Sequence, residues 1–344
     1  MEVPDRQRVA DYVLRTTPRW DGQRSDLSPL MELNPEACYR RCGMQIETLA
    51  IVRPPKMGDQ GLASRLSKGF EDASQGVAVY SSPEVCALAP EDLGSTTLLV
   101  VSPGQCIETS GDEPLFLSKV ASAQRRILAS VGPVDSPWYM GRLKKGITFD
   151  AVLDLGFVSQ GDRHAEVSDV PYHFVFNGPT KDEEPLAEEP THPKERTIPW
   201  VLVGPKNDVN RDLLAGLFEQ GFDPGGFCLL QARMRSTAEP LLGGQGLAVV
   251  MSKVRYYLWG SDRNISYHES SRFIDPLLAG AVPCKIDPAL AAEELDIPGV
   301  YPSVPTFQAE VRDEGYRAMY RRARDFYVSG GRLADHLSGA LRLV

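Results

Sequence analysis

The amino-acid sequence predicts an α/β protein of two tandem domains, each with a parallel sheet covered by crossover helices. Short apolar segments alternate with longer amphipathic ones, which is the pattern of strand–helix–strand units. This alternation stops at an acidic, proline-rich segment and then begins again. A chain of 344 residues is also long enough for about two domains.

The first predicted domain covers residues 46–190 and follows an N-terminal appendage at 1–45. In that appendage, prolines such as Pro18 and Pro29 interrupt any long element. Apolar segments within the domain predict strands, and helical spacing of apolar residues predicts helices between them. The predicted strands lie at 47–56, 77–80, 96–103, 148–157 and 171–176, and the predicted helices at 62–70 and 115–128.

The second predicted domain covers residues 191–310, after a surface linker at 180–197 that is too polar to bury a core. Its predicted elements are a strand at 199–206, a helix at 211–222, and further apolar segments at 247–260 and 272–287. Residues 311–344 are predicted to form a C-terminal helix. Apolar and aromatic side chains recur there at helical spacing, which indicates a face packed into the core, at Tyr316, Met319, Tyr320, Ala323 and Tyr327.

The start of the second domain repeats the start of the first. IVRPPK followed by LASRLSKGF corresponds to VLVGPK followed by RDLLAGLFEQGF, with Lys56 and Lys206 lying 150 residues apart. Each copy is an apolar strand, a turn containing Pro-Lys, and a helix that closes on Gly-Phe. Two Rossmann-like domains in tandem account for this restart.

Composition excludes several classes of protein. The 37 Lys and Arg against 46 Asp and Glu leave a net charge of −9, so the basic footprint of a nucleic-acid-binding protein is missing. No apolar run reaches the length of a membrane helix, and the charged N-terminal segment lacks a signal-peptide core. The six cysteines contain no CxxC pair, which favours reduced thiols over a metal or disulfide role. We therefore expect a cytoplasmic protein.

Sequence motifs narrow the choice of enzyme class further. The chain has no GxGxxG turn, P-loop, GxSxG elbow or HExxH zinc motif, and no Asp-x-Asp pair to hold a metal on a diphosphate. The most informative segment is YHESSRFIDPLLAGAVPCKID at 267–287, which predicts a loop, a helix, a stop at Gly280 and a short strand. Arg272 lies in the first turn of that helix, where free amides favour an anion, and Asp275 shares its face. The two side chains could instead form an ordinary solvated ion pair.

The sequence RFIDPLLAGAVPCKID resembles the second-domain signature of GT-B glycosyltransferases, in particular the fucosyltransferase, exostosin and spore-maturation CgeB types. In these, a basic and an acidic residue precede Leu-Ala-x-Gly-x-x-Pro, and Arg272 and Asp275 stand at those positions. The resemblance implies two facing Rossmann-like domains and a terminal helix that crosses back onto the first. It also implies that Arg272 meets the donor diphosphate and Asp275 the sugar or ribose. The commoner pattern has two glutamates with seven residues between them, and these positions fall on Tyr267 and Asp275, with Glu269 two residues out of register.

We therefore expect a hexosyl- or deoxyhexosyl-transferase that moves a sugar from a nucleotide-sugar donor to an acceptor hydroxyl. The expected enzyme needs no metal and no cofactor beyond the nucleotide-sugar co-substrate. Cations and helix starts must then meet the charge of the leaving group. The carboxyl edge of the second sheet is where such ligands bind. The residues expected to bind the donor are Gly204, Lys206, Arg211, Tyr267, Arg272 and Asp275.

The first domain is expected to supply the acceptor side, and an inverting transfer needs a base near the acceptor hydroxyl. His164, in the loop after an apolar strand, is one candidate, and Asp59, in a glycine-containing loop, is another. Glu269 is a third catalytic candidate, and the adjacent His268 is either a base or a contact to the sugar. Each of these has an ordinary loop role as its alternative. Two other functions remain open: a nucleotide-sugar epimerase of the same fold, and a non-catalytic binding or structural protein.

Overall fold

A computed structural model describes residues 48–55, 60–134, 136, 139, 141, 146–184, 196–223, 225–231, 249–261 and 267–341. Within these residues the chain folds into two parallel sheets flanked by helices, as the sequence predicts. The appendage at 1–45 and most of the acidic linker lie outside the described residues.

The first sheet has six parallel strands in the order β2-β1-β3-β4-β5-β6. All residues of β3 and β5 are buried, because helices cover both faces of a parallel sheet. The strands are β1 (Thr48–Arg53), β2 (Val77–Ser81), β3 (Thr96–Val101), β4 (Arg125–Ser130), β5 (Ala151–Gly156) and β6 (Tyr172–Phe176).

The second sheet has five parallel strands in the order β11-β10-β9-β7-β8. Its first strand corresponds to β1 of the first sheet, so the restart seen in the sequence is an architectural one. The strands are β7 (Ile198–Pro205), β8 (Phe227–Gln231), β9 (Val254–Gly260), β10 (Val282–Ile286) and β11 (Val300–Tyr301).

Helices connect these strands and cover the sheets. Those of the first half are α1 (Gln60–Asp72), α2 (Ser82–Ala87), α3 (Pro90–Leu93), α4 (Pro103–Thr109), α5 (Glu113–Ala121) and α6 (Gly161–Val167). Those of the second half are α7 (Asp208–Glu219), α8 (Ser270–Leu278), α9 (Pro288–Ala291), α10 (Val304–Asp313), α11 (Gly315–Ser329) and α12 (Leu333–Leu341).

The helix predicted at 115–128 is wrong in its second half. The helix α5 ends at Ala121, and β4 begins at Arg125. The last residues of β4 are buried between β3 and β5, with Leu99 paired to Ile127. A short apolar segment is compatible with either element in isolation, and its place in the middle of the sheet decides for the strand.

The single C-terminal helix predicted at 311–344 is also corrected, because the chain bends twice within this region. Gly315 (φ +73°) and Gly331 (φ +91°) adopt left-handed backbone conformations that divide it into α10, α11 and α12. The predicted inward face of α11 is buried in the core of the second sheet. Leu333 and Leu337 of α12 join the core of the first sheet, so the C-terminal region crosses back onto the first domain.

Arg65 of α1 is the centre of a hydrogen-bond network at the junction between the two domains. Its guanidinium donates to Asn177 Oδ1 (2.6 Å), to Tyr327 Oη of α11 (2.6 Å), and to the Gly178 carbonyl and the Glu183 carboxylate. Asn177 Nδ2 in turn donates to Ser270 Oγ (2.9 Å) at the start of α8. One buried network therefore joins the first helix, the linker, the second domain and the C-terminal helix.

We expect the substitution Gly178→Ala to destabilise the protein by about 1–3 kcal/mol. A Cβ at this position would overlap the backbone carbonyl of Gly331, and backbone cannot rotate away as a side chain can. Urea unfolding measures the change in free energy. The control is Gly76→Ala, because a Cβ at Gly76 meets no atom within 4 Å. Equal unfolding midpoints for the two variants would contradict the prediction.

Candidate functional site

The strand order of the second sheet creates a crevice between the carboxyl ends of β7 and β9, since the chain runs outward from this point in both directions. Gly204 is the penultimate residue of β7 and Gly260 the last residue of β9, and the Asn210 side chain packs between them. Asn210 Oδ1 accepts from Gly260 N (3.2 Å), and Asn210 Nδ2 donates to the Pro205 carbonyl (3.0 Å). A Cβ at Gly204 would lie 2.6 Å from Asn210 Nδ2, so this glycine makes room for the asparagine.

Arg272 reaches this crevice from α8. Its Nη1 donates to the Val203 carbonyl (3.2 Å) near the end of β7, and the side chain is half-buried. The sequence left open an ordinary ion pair between Arg272 and Asp275. Among the described residues the two side chains form no such pair, and Asp275 is exposed on the same helix. The structure thus places one fixed cation at the edge where a ligand is expected.

The other two predicted cations are less constrained than Arg272. Lys206 is exposed directly after β7. Arg211 has 70% of its side chain exposed and pairs with Asp208 on the same helix (2.9 Å). The structure places both on the β7 side of the crevice, and no hydrogen bond of the described residues draws either of them toward Arg272.

Glu269 belongs to a buried charge cluster rather than to open solvent. Lys285, of which 1% is exposed, donates from Nζ to Glu269 Oε2 (2.7 Å) and to the Tyr267 carbonyl, and lies 3.5 Å from Asp287 Oδ2. Trp259 Nε1 also donates to Glu269 (3.0 Å). Burial raises the pKa of Glu269, but Lys285 and Arg272 outweigh it and leave the pKa below its usual range. An ionised carboxylate held by two donors is suited to anchoring the loop before α8 more than to accepting a proton.

His164 lies below the protein surface, on α6. Its Nδ1 is hydrogen-bonded to Tyr139 Oη (2.9 Å) and its Nε2 to the Val170 carbonyl (2.7 Å), and 2% of the residue is exposed. Both ring nitrogens are therefore occupied within the first domain. This geometry does not suit the role of general base that the sequence suggested. The alternative base, Asp59, lies outside the described residues.

A cavity of about 240 Å³ lies between the two domains. The loop after β5 forms one wall, with Phe157 and Gln160, and the segment before α8 forms the other, with Tyr267 and His268. Burial and the nearby Lys285 charge lower the pKa of His268 to about 3, so its imidazole is neutral at physiological pH. An interdomain ion pair, Arg163 to Glu293 (2.7 Å), lies at the same cavity.

Sequence reasoning missed Asp154, which supports the first-domain wall of this cavity. Its Oδ2 accepts from Tyr172 Oη (2.6 Å) and Gln160 Nε2 (3.2 Å), and the residue is fully buried at the carboxyl end of β5. Gln160 Oε1 also accepts from Val134 N (3.1 Å), which joins two loops of the cleft. Burial raises the pKa of Asp154 to about 7, although both hydrogen bonds favour the anion. A charged residue inside an apolar strand was the signal available in the sequence.

We expect the stability of the protein to depend on the protonation of Asp154. A carboxyl whose folded pKa lies above its unfolded value stabilises the fold at low pH and loses that contribution as pH rises through the folded pKa. Between pH 4 and pH 8 the wild type should therefore lose on the order of 3 kcal/mol of unfolding free energy relative to Asp154→Asn. Urea unfolding across this pH range measures the difference. The exposed Asp169→Asn serves as control, and parallel curves for wild type and Asp154→Asn would refute the prediction.

Two further observations concern membranes and metals. No helix in the described part of the chain is both long and apolar enough to span a bilayer. Among the same residues, no three or more His, Cys, Asp and Glu side chains form a group that could hold a metal ion.

Among known proteins, solved structures are similar to this chain in fold. No family model matches the chain, and no curated protein matches it. Among solved structures, an alpha-glucosyltransferase in complex with UDP-glucose and DNA containing an abasic site aligns with a TM-score of 0.53 and 9% identity, covering 86% of this chain and 97% of that one. An alpha1,3-fucosyltransferase aligns with a TM-score of 0.38 and 11% identity, covering 87% of this chain and 82% of that one. The chain has the GT-B fold, with two facing Rossmann-like domains and a crossing C-terminal region.

Proposed function

We propose that this protein is a glycosyltransferase that moves a sugar from a nucleotide-sugar donor to an acceptor hydroxyl without an essential metal. The observation that carries the proposal is the position of Arg272, whose guanidinium lies at the crevice between β7 and β9. A neighbour with the same fold was solved with UDP-glucose, which supports a nucleotide-sugar as the donor.

The chemistry of this proposal is electrostatic. Cleavage of the bond between sugar and diphosphate leaves negative charge on the nucleotide, and fixed cations stabilise that charge in a partly desolvated crevice. Arg272 can present two parallel N–H donors to a phosphate, and it extends from the first turns of α8, whose amides also favour an anion. Lys206 and Arg211 are proposed to add charge from the β7 side.

The acceptor is proposed to approach from the first domain, across the interdomain cavity. The base that removes its proton is not among the histidines of the cavity region, because His164 is fully hydrogen-bonded and the pKa of His268 is about 3. Asp59 therefore remains the proposed base. We propose no nucleic-acid acceptor, since the net charge of −9 repels a phosphate backbone.

A non-catalytic binding protein of the same fold is the second candidate function. It is favoured by the state of the described catalytic candidates: Lys285 holds Glu269 in its ionised form, and both ring nitrogens of His164 are hydrogen-bonded within the first domain. Such a protein would keep the crevice around Arg272 and bind a nucleotide without turnover.

A screen of UDP-, GDP- and dTDP-sugars by thermal shift, followed by a hydrolysis assay on those that bind, tests the proposal. A glycosyltransferase should be stabilised by one nucleotide class and should slowly hydrolyse its donor. Stabilisation without any turnover, with or without acceptor, would favour the non-catalytic protein. The absence of a shift with every nucleotide would refute donor binding altogether.

A further inference from the structure

His268 is a polar side chain that lines the cleft and has no hydrogen-bond partner among the described residues. It is 5% exposed, and neither Nδ1 nor Nε2 has a hydrogen-bond partner. Its ring is packed among the rings of Phe157 (5.6 Å between centroids), Trp259 (5.7 Å) and Phe273 (5.6 Å). Buried polar groups are normally hydrogen-bonded, and leaving one without a partner destabilises the fold. The fold therefore keeps an imidazole where an apolar side chain would be more stable.

Two other polar side chains of the cleft have partners within the protein. Glu269, the next residue, is paired with Lys285 and bonded to Trp259, and Gln160 across the cavity is bonded to Asp154. These polar groups complete the protein's own networks. His268 lines the cavity and its ring nitrogens have no partner in the protein, so a ligand in the cavity is the candidate partner.

The chemistry of a neutral imidazole restricts that ligand. One ring nitrogen donates a hydrogen bond and the other accepts one, and a hydroxyl group can pair with either of them, as acceptor or as donor. A phosphate offers only acceptors, and among the described residues no group of three or more His, Cys, Asp and Glu side chains could hold a metal ion. The cavity of about 240 Å³ is also smaller than a typical pocket for a drug-sized ligand, so it suits one ring rather than a whole nucleotide. The face of Phe157 provides an apolar wall for such a ring.

We propose that His268 is a specificity-determining residue that hydrogen-bonds a hydroxyl of an uncharged sugar ring held in the interdomain cavity. This inference rests on the proposed function, in which a nucleotide-sugar and an acceptor meet at the cleft. The ring belongs to the transferred sugar of the donor or to the acceptor, and both present the same hydroxyl chemistry. The experiments below separate these two sources.

The first experiment uses the protein without ligand. His268→Leu has nearly the volume of the wild-type side chain and lacks its polar atoms, so its unfolding midpoint should rise by about 1–4 °C. His268→Asn keeps hydrogen-bonding capacity and serves as the conservative variant. A clear fall in the midpoint of His268→Leu would show that the imidazole holds the fold together, and would overturn the proposal whether or not a nucleotide binds.

The second experiment measures binding by calorimetry with UDP and UDP-glucose, and with GDP and GDP-mannose. The wild type should bind UDP-glucose more tightly than UDP, or GDP-mannose more tightly than GDP, because the sugar adds contacts of its own. If His268→Leu binds the nucleotide-sugar about 5- to 10-fold more weakly than the wild type does, and binds UDP or GDP equally well, the ring belongs to the donor. An unchanged donor affinity with a raised KM for a methyl glycoside acceptor assigns it to the acceptor. If neither quantity changes, the proposal is wrong.

A third experiment tests the role of His268 separately from the proposed glycosyl transfer. If the wild type binds no nucleotide, glycosyl transfer fails, but the cavity can still be tested with free monosaccharides. Glucose, galactose and mannose at high concentration should raise the unfolding midpoint of the wild type and, to a smaller extent, that of His268→Asn. They should leave the midpoint of His268→Leu unchanged. No shift with any of the three sugars, in a protein that also binds no nucleotide, would overturn the role of His268.

Discussion

Replacing Arg272 by Ala should weaken the binding of a nucleoside diphosphate by about 10- to 100-fold while the protein stays folded. A charge-assisted bidentate bond to a phosphate contributes about 1.5–3 kcal/mol, which corresponds to this range of affinity. The only hydrogen bond that the described structure gives to the Arg272 side chain is to the Val203 carbonyl, so its loss should cost little stability. Calorimetric titration with UDP, GDP and dTDP measures the affinity, and far-ultraviolet circular dichroism confirms the fold.

The matched control for this experiment is Arg317→Ala, which removes the same charge from an exposed position on α11. Its affinity for nucleotide should equal that of the wild type. Arg211→Ala should fall between the two, because that guanidinium is 70% exposed and already paired with Asp208. Equal affinity in wild type and Arg272→Ala would remove the main support for a donor site at this crevice.

Replacing Lys285 by Met should destabilise the protein by about 3–5 kcal/mol, the largest stability effect expected for a single substitution in this site. Met preserves the volume of the side chain but leaves Glu269 and Asp287 as neighbouring carboxylates without their buried cation. Urea unfolding measures the loss. Lys253→Met, at an exposed position, should change the free energy of unfolding by no more than about 0.5 kcal/mol.

The pH dependence of this variant provides an independent check. In the wild type the pKa of Glu269 is lowered, so its contribution to stability is present above the unfolded pKa and is lost as pH falls through the folded pKa. Without Lys285, burial should raise that pKa, and the variant should become relatively more stable as pH falls. The difference between wild type and variant should therefore narrow between pH 7 and pH 4. The double variant Lys285→Met, Glu269→Gln should recover part of the loss at pH 7, and failure to do so would argue against a coupled pair.

The elements around the crevice between β7 and β9 were predictable because their signals are local. The apolar run of β7, the Gly280 stop and the strand after it are set by neighbouring residues, and the segment at 267–287 folds nearly as its sequence indicates. The helix predicted at 115–128 was wrong in its second half because local signals do not decide that segment. Whether a short apolar run becomes a strand depends on its neighbours in the sheet, and β4 is placed by β3 and β5.

The candidate site was predictable only in part. Arg272 reaches the expected crevice, whereas Gly204 serves the packing of Asn210 and His164 is enclosed by Tyr139 and Val170. The roles of polar residues depend on partners far away in the chain, as in the bond from Asn177 to Ser270, 93 residues apart. Sequence spacing carries no information about such pairs.

Two parallel sheets, the restart between them and the helix that begins just before Arg272 follow from local sequence, because hydrophobic periodicity and helix termini act over a few residues. Which polar groups remain available for chemistry depends on the packing of the folded chain. This packing joined Lys285 to Glu269, closed His164 and Asp154 into networks of their own, and left His268 facing the cleft. The physical reason is that a buried polar group is satisfied by whatever folding brings within hydrogen-bond distance, and this is a property of the packed chain.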